Sequence, residues 1–222
     1  MELANITYIH VANHTLRQLT SPIIKLVVGS DNTEFNVSQY ILCKLPFFQA
    51  ALQGQFREAS EKLINMPEDD PEIVSKLVEV LTRGDYSPPS IALEGTPTDE
   101  TRLQCKLFHA QVYVLGEKYS CDALCEVASR FIQVLPITGK EKVLEYMVLV
   151  YEMTSRESKL RLPSFNGPHQ WGPEKTRKLI AKLWSADGGN FTAHRKDGIL
   201  GEVCGRCPEL ARDLLALVCE GQ

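Results

Sequence analysis

Apolar and polar positions recur with two different periods along this chain. Near the start, Ile23-Ile24-Lys25-Leu26-Val27-Val28 is a short run rich in β-branched residues, closed by Gly29-Ser30-Asp31-Asn32. Glu34-Phe35-Asn36-Val37 then alternates polar and apolar. Two such runs across a Gly/Asp/Asn turn predict a β-hairpin. Lys62-Leu63-Ile64-Asn65-Met66, stopped by Pro67, predicts a third strand, and Ile6-Thr7-Tyr8-Ile9-His10-Val11 a further one upstream.

Helical spacing governs most of the remainder. Tyr40 to Gln53 carries Ile41, Leu42, Leu45, Phe48, Ala51 and Leu52, and Pro46 divides it into two short helices. Asp70-Pro71-Glu72 combines an N-cap residue, a proline at the first helical position and a first-turn carboxylate. The apolar set Ile73, Val74, Leu77, Val80 and Leu81 follows it on one face. Leu103, Leu107, Ala110 and Val114 line another helix. Leu124, Val127, Ala128, Phe131, Ile132 and Leu135 line the next, with Asp122 or Ser120 as its expected cap. Beyond them, Val143, Met147 and Val150 predict one helix, Leu179, Ile180, Leu183 and Trp184 a second, and Ile199, Leu200, Val203 and Cys204 a third. Pro208 opens a fourth, with Leu210, Ala211, Leu214, Leu215 and Val218 facing inward.

Three stretches rich in Gly and Pro punctuate this pattern, at 84–99, 135–139 and 161–173. The fold class that results is α+β: a small β-sheet flanked by a cluster of α-helices, then an all-helical C-terminal extension. A chain of 222 residues with 44% hydrophobic and 23% charged residues can build a real apolar core.

Charge narrows the partners. Lys plus Arg number 24 against 28 for Asp plus Glu, so no general basic bias marks a nucleic-acid binder. Basic residues do gather at Lys175, Arg177, Lys178 and Lys182, and at His194, Arg195 and Lys196, near Trp171 and Trp184. A solvated helix face explains them. The acidic group Glu68-Asp69-Asp70-Glu72 precedes a helix, where carboxylates complement the dipole, so capping explains it better than a cation site. The longest strictly apolar runs, Tyr146 to Tyr151 and Leu214 to Cys219, are far too short to span a membrane. The opening residues predict no secretory leader. With seven cysteines, an odd count, that predicts reduced thiols in the cytoplasm or nucleus.

Candidate chemistry is sparse. No phosphate-cradling loop, dinucleotide fingerprint or nucleophile elbow occurs. The histidines His10, His14, His109, His169 and His194 are scattered. Cys204-Gly205-Arg206-Cys207 has the spacing of a redox pair or half a zinc site. A redox pair needs a preceding strand, and a zinc site needs two more ligands; neither is evident. Cys121 and Cys125, four apart on a helix, are expected to pack.

The succession of elements, together with several short segments, resembles a BTB/POZ domain of the divergent fungal type. The resemblance covers residues 22–135, about half the chain. It is carried by Leu26-Val27-Val28-Gly29, by Phe35-Asn36-Val37-Ser38 with Ile41-Leu42-Cys43, and by Pro46-Phe47-Phe48-Gln49-Ala50-Ala51-Leu52. Phe56-Arg57-Glu58-Ala59, Met66-Pro67-Glu68-Asp69-Asp70-Pro71-Glu72 and Thr82-Arg83-Gly84-Asp85-Tyr86 continue it. His109-Ala110-Gln111-Val112-Tyr113-Val114-Leu115-Gly116-Glu117-Lys118-Tyr119 closes it. Ile23 stands where many animal members carry an Asp, and Ser38 where a His is usual. On this reading 1–21 is a lead-in and 136–222 a helical extension resembling the tail of fungal members.

The resemblance implies protein binding without catalysis, without a cofactor or a metal, and with proteins rather than nucleic acid or membrane as partners. Related domains contact a cullin through a hydrophobic-x-Glu motif, which Phe56-Arg57-Glu58 matches position for position. A substrate adaptor for a cullin-type ubiquitin ligase is therefore the first expectation. A self-associating scaffold or transcription-linked protein, homodimeric through an exchanged Ile6–Val11 strand, is the alternative. A thiol–disulfide enzyme built on Cys204 and Cys207 is the third.

Overall fold

A computed structural model describes residues 20–90, 98–135, 137, 139–161, 178 and 199–219. The chain is mixed α and β, and among the described residues it is mostly helical. It divides into two compact units. One comprises Met1–Ser87 with Leu115–Leu124, the other Pro88–Val114 with Cys125–Gln222. The candidate strand at Ile6–Val11 lies outside the described residues, as do Leu179 to Trp184.

The first unit is built on a three-stranded sheet. Strands β1 (Ile23–Val28) and β2 (Thr33–Ser38) form the expected antiparallel hairpin, with Ile23 opposite Ser38 and Val28 opposite Thr33. Helices α1 (Gln39–Leu42), α2 (Pro46–Gln53) and α3 (Arg57–Glu61) follow. They lead to β3 (Leu63–Met66), which lies parallel to β1, giving the order β2-β1-β3. A parallel neighbour cannot be reached by a tight turn, so the chain from β2 must travel back along the sheet before pairing. Those three short helices are that crossover. Pro46 begins α2, as its fixed φ and missing N–H favour at a first helical position.

One face of the sheet is core. Ile24, Leu26 and Val28 alternate inward, beside Val37, Ile64 and Met66. Ile23 starts β1 on the other face and is exposed. On that face Lys25 and Glu34 pair at 2.9 Å across the hairpin.

Helix α4 (Pro71–Arg83) forms as its sequence dictates. The Asp70 carboxylate accepts the N–H groups of Glu72 at 2.7 Å and Ile73 at 3.3 Å. Ile73, Val74, Leu77 and Val80 are buried. Gly84 ends the helix at φ 80°, a left-handed conformation that glycine adopts without a Cβ clash. Its N–H returns to the Val80 carbonyl at 2.8 Å.

Helix α5 (Asp99–Lys118) is buried on several sides, by Leu103, Cys105, Lys106, His109, Ala110, Val112, Tyr113 and Leu115. A helix apolar on so many faces belongs in an interior. Helix α6 (Asp122–Val134) begins after a left-handed Ser120, φ 54°. The capping expectation at Asp122 or Ser120 is corrected: Asp122 is the first helical residue, and Cys121 precedes it, its carbonyl accepting the Leu124 N–H at 3.0 Å. Cys121 is buried, and burial pushes its thiol pKa up.

In the second unit α7 (Lys140–Met153) packs with α8 (Ile199–Arg206) and α9 (Pro208–Cys219). The Asp99 carboxylate accepts the Gly139 N–H at 2.8 Å, and Lys142 pairs with Glu100 at 2.6 Å and Glu145 at 2.9 Å. Leu210 and Leu214 are buried, whereas Leu215, expected to face inward, is 39% exposed. Leu215 lies five positions after Leu210, past the edge of the stripe that Leu214 closes.

Arg161 ties this unit together. Buried, it donates to Thr154 Oγ1 at 3.0 Å and to the Tyr151 carbonyl at 2.8 Å, and also to the Thr154 carbonyl and Glu209. Its guanidinium also lies 4.7 Å from the Tyr151 ring centre. Arginine's planar fork can satisfy so many acceptors at once. Nearby, the Tyr151 hydroxyl donates to Asp213 at 2.9 Å.

Lys106 is the opposite case. It is 2% exposed, and among the described residues no carboxylate pairs with it. Its ammonium instead lies 5.2 Å from the Tyr146 ring centre. Burial pushes its pKa from 10.5 down to about 8. The cation–π contact offsets about 0.5–2 kcal/mol of the desolvation cost. Between those two pKa values the unfolded chain holds the proton that the folded chain has released, so stability rises with pH from about 8 towards 10. Lys106→Met is expected to stabilise the chain at pH 7 by about 1–3 kcal/mol and to abolish that rise. Urea denaturation at a series of pH values measures both.

Candidate functional site

Among the described residues of the first unit, the segment between α2 and β3 carries the most exposed phenylalanine. Gly54 caps the end of α2 in an extended conformation, and its N–H returns to the Ala50 carbonyl at 3.2 Å. Phe56, also extended, stands at the N-cap of α3. Its carbonyl accepts the Ala59 N–H at 3.2 Å, so its backbone starts the helix while its ring stays outside. Phe56 is 61% exposed and does not pack inward.

The ring is nonetheless seated. A Cβ at Gly54 would fall 2.6 Å from Phe56 Cδ2 and 2.8 Å from Cε2. The absence of that Cβ lets the ring lie against the backbone. Arg57 points outward and pairs with Glu61 at 2.8 Å, one turn on. Glu58 is half-buried. Helix α3 buries no residue at all. Lys62, left-handed at φ 55°, ends it, and its carbonyl accepts the Lys25 N–H at 2.9 Å. The far end of this exposed turn is thus fastened to the sheet.

A second exposed aromatic, Phe47, lies on α2 and is 49% exposed. Its ring meets Phe48 at 5.1 Å and Tyr119 at 5.0 Å, both edge-on. Tyr119 is held in turn: its hydroxyl donates to Asp69 at 2.5 Å, and Lys118 pairs with the other Asp69 oxygen at 2.7 Å. Burial and the Asp69 carboxylate together push the Tyr119 pKa up, which keeps the hydroxyl a donor. Asp70 caps α4 as expected; Asp69, its neighbour, serves this tyrosine instead.

The arrangement can do one thing well. An exposed aromatic ring and guanidinium, with a half-buried glutamate next in sequence, stand on a backbone fixed at both ends. Such a group can enter a pocket on a partner, with the charges at its rim setting orientation.

The other candidates fare differently. Cys207 is buried, and its N–H bonds the Val203 carbonyl at 2.8 Å at the junction of α8 and α9. Cys204 lies in α8, so a helix rather than a strand leads into the pair. Cys121 is buried and Cys125 half-buried, and the Cys125 thiol donates to the Tyr113 carbonyl at 3.6 Å. Burial pushes the thiols of Cys43, Cys105 and Cys121 up, away from the thiolate form. His109 is buried and stacked on Phe131 at 4.7 Å. Lys178 is exposed, and the rest of the basic cluster with both tryptophans lies outside the described residues. Among the described residues no group of three or more His, Cys, Asp or Glu could hold a metal, and no helix is long and apolar enough to cross a membrane.

Two features escaped the sequence. Lys106 stands three residues after Leu103 and four before Ala110, on an apolar face, a spacing that signals a buried charge. Nothing in the spacing links Asp69 to Tyr119, fifty positions apart.

No protein-family model matches the chain, and no curated protein matches it either.

The seating of Phe56 has a direct check. Gly54→Ala is expected to push the ring off the backbone, so that nuclear Overhauser contacts between the Phe56 ring and residue 54 disappear. Stability should change by no more than about 0.5–1 kcal/mol, since no core residue is touched. Contacts that survive the substitution would contradict the seating.

Proposed function

We propose that this chain is a non-enzymatic protein–protein interaction module, with a BTB/POZ-like N-terminal part that engages a cullin-type scaffold and acts as a substrate adaptor for a ubiquitin ligase. The observation that carries this reading is the exposure of Phe56, with Arg57 and Glu58 beside it, on a turn that contributes nothing to the core. A buried phenylalanine could not serve as an anchor. The order of elements, from hairpin through three short helices to third strand and capped helix, is compatible with the same resemblance.

Phe56→Ala is expected to weaken binding to a purified cullin N-terminal domain at least about 30-fold, the equivalent of roughly 2 kcal/mol at an interface hot spot. Glu58→Lys should weaken it through reversal of the rim charge. Both variants should keep the wild-type thermal midpoint. Absent binding, or binding indifferent to both substitutions, would end the adaptor reading.

A second reading, a self-associating scaffold, is favoured by a different observation. Ile23 at the start of β1 and Phe47 on α2 are large apolar side chains left 55% and 49% exposed. Light scattering over a concentration series separates the readings. Self-association should appear by tens of micromolar and recede in Ile23→Lys with Phe47→Ser, and a strict monomer would count against it.

A further inference from the structure

The Phe56 turn carries a hydroxyl that its docking role does not use. Ser60 lies in the last turn of α3, is exposed, and donates its hydroxyl to the Arg57 carbonyl at 2.8 Å. Arg57, three residues earlier, has a side chain 79% exposed that pairs one turn on with Glu61. We propose that Ser60 is a phosphorylation site for a protein kinase that selects arginine three residues before its serine, and that the phosphate switches the Phe56-Arg57-Glu58 turn out of its docking conformation. The second half rests on the docking reading above; the first half does not.

Three observations carry the site. Kinases bind substrates extended, so the segment must open. Helix α3 spans five residues and buries none of them, so opening it exposes no core. The guanidinium that would enter an acidic kinase subsite is already at the surface, and only an exposed ion pair, of about 0–1 kcal/mol, must be released. The same spacing at Arg161 and Ser164 offers no such group, because Arg161 is buried and committed to Thr154, Tyr151 and Glu209. Arg17 and Thr20 share it too, with Arg17 outside the described residues.

In the reaction, Ser60 Oγ attacks the γ-phosphorus of a nucleoside triphosphate held by the kinase. An Oγ–P bond forms as the bond to the nucleoside diphosphate breaks, and the hydroxyl proton passes to the kinase's base. The product can no longer donate to the Arg57 carbonyl. It places roughly −1.5 to −2 charges at the C-terminal end of α3, where the helix dipole disfavours them. The phosphate also competes with Glu61 for Arg57 and sets a strong negative charge two residues from Glu58. Each effect acts on the turn that presents Phe56.

The test has two arms. In the first, the full chain is incubated with ATP and a kinase catalytic domain of that arginine-directed specificity, and sites are mapped by mass spectrometry. Phosphate is expected at Ser60, absent in Ser60→Ala and at least tenfold slower in Arg57→Ala. Glu61→Gln breaks the same ion pair without removing the guanidinium, so it should be modified as fast as wild type or faster. Modification that spares Ser60, or equal slowing in Arg57→Ala and Glu61→Gln, would overturn the site. In the second arm, phosphorylated and unmodified chains are compared for binding to a cullin N-terminal domain, and a loss of at least tenfold is expected. Equal binding by both would overturn the switch. If neither form binds, the docking reading and the switch fall together, while the site stands or falls on the first arm.

Discussion

The parallel pairing of β3 with β1 is the constraint on which the first unit depends. A hairpin alone would let the chain leave the sheet after Ser38. Parallel pairing obliges it to return to the end of the sheet where β1 starts before β3 can begin, with Lys25 opposite Leu63. The return is made in three short helices, and these are not equivalent. Ile41 and Leu42, then Phe48 and Leu52, fill the core. Helix α3, the last turn before the sheet, adds no buried residue. The exposed Phe56 thus sits on a part of the crossover that supplies length without supplying core.

Polar groups in the interior divide into two kinds. Arg161 is surrounded by acceptors from Tyr151, Thr154 and Glu209, so its buried charge is paired and hydrogen-bonded and fixes the path of the chain after α7. Lys106 has an aromatic face and, among the described residues, no anion. Its burial is a standing cost, visible as a depressed pKa. The contrast follows from the side chains. A planar fork can share itself among several acceptors, whereas a compact ammonium needs a concentrated counter-charge.

Local signals were legible where the physics is local. The alternation of β1 and β2, the division at Pro46 and the Asp70-Pro71-Glu72 helix start could all be read directly, because strand period, proline geometry and N-capping act within a few residues. The parallel partner of β1 could not, since a strand's own pattern does not name its neighbour. The start of α6 fell between the two expected caps because Ser120 takes up the left-handed turn and Asp122 is already helical. At the candidate site the residues Phe56, Arg57 and Glu58 were legible as a motif, but the exposure of the ring was not. Five residues of helix are too few for a periodicity that separates inside from outside. The bond from Tyr119 to Asp69 joins segments with no common pattern.

Because α3 adds no residue to the core, fold stability constrains surface identity only weakly along Arg57–Glu61. Most substitutions in a protein are filtered first by whether the chain still folds. Here that filter is nearly silent, and Lys62, pinned to β1 through its carbonyl, keeps the frame constant while the residues before it vary. Such a turn can drift between specificities, or be rewritten in the laboratory, without compensating changes elsewhere in the core. The crossover that the sheet demands for geometric reasons thereby includes a stretch whose residues the core does not constrain.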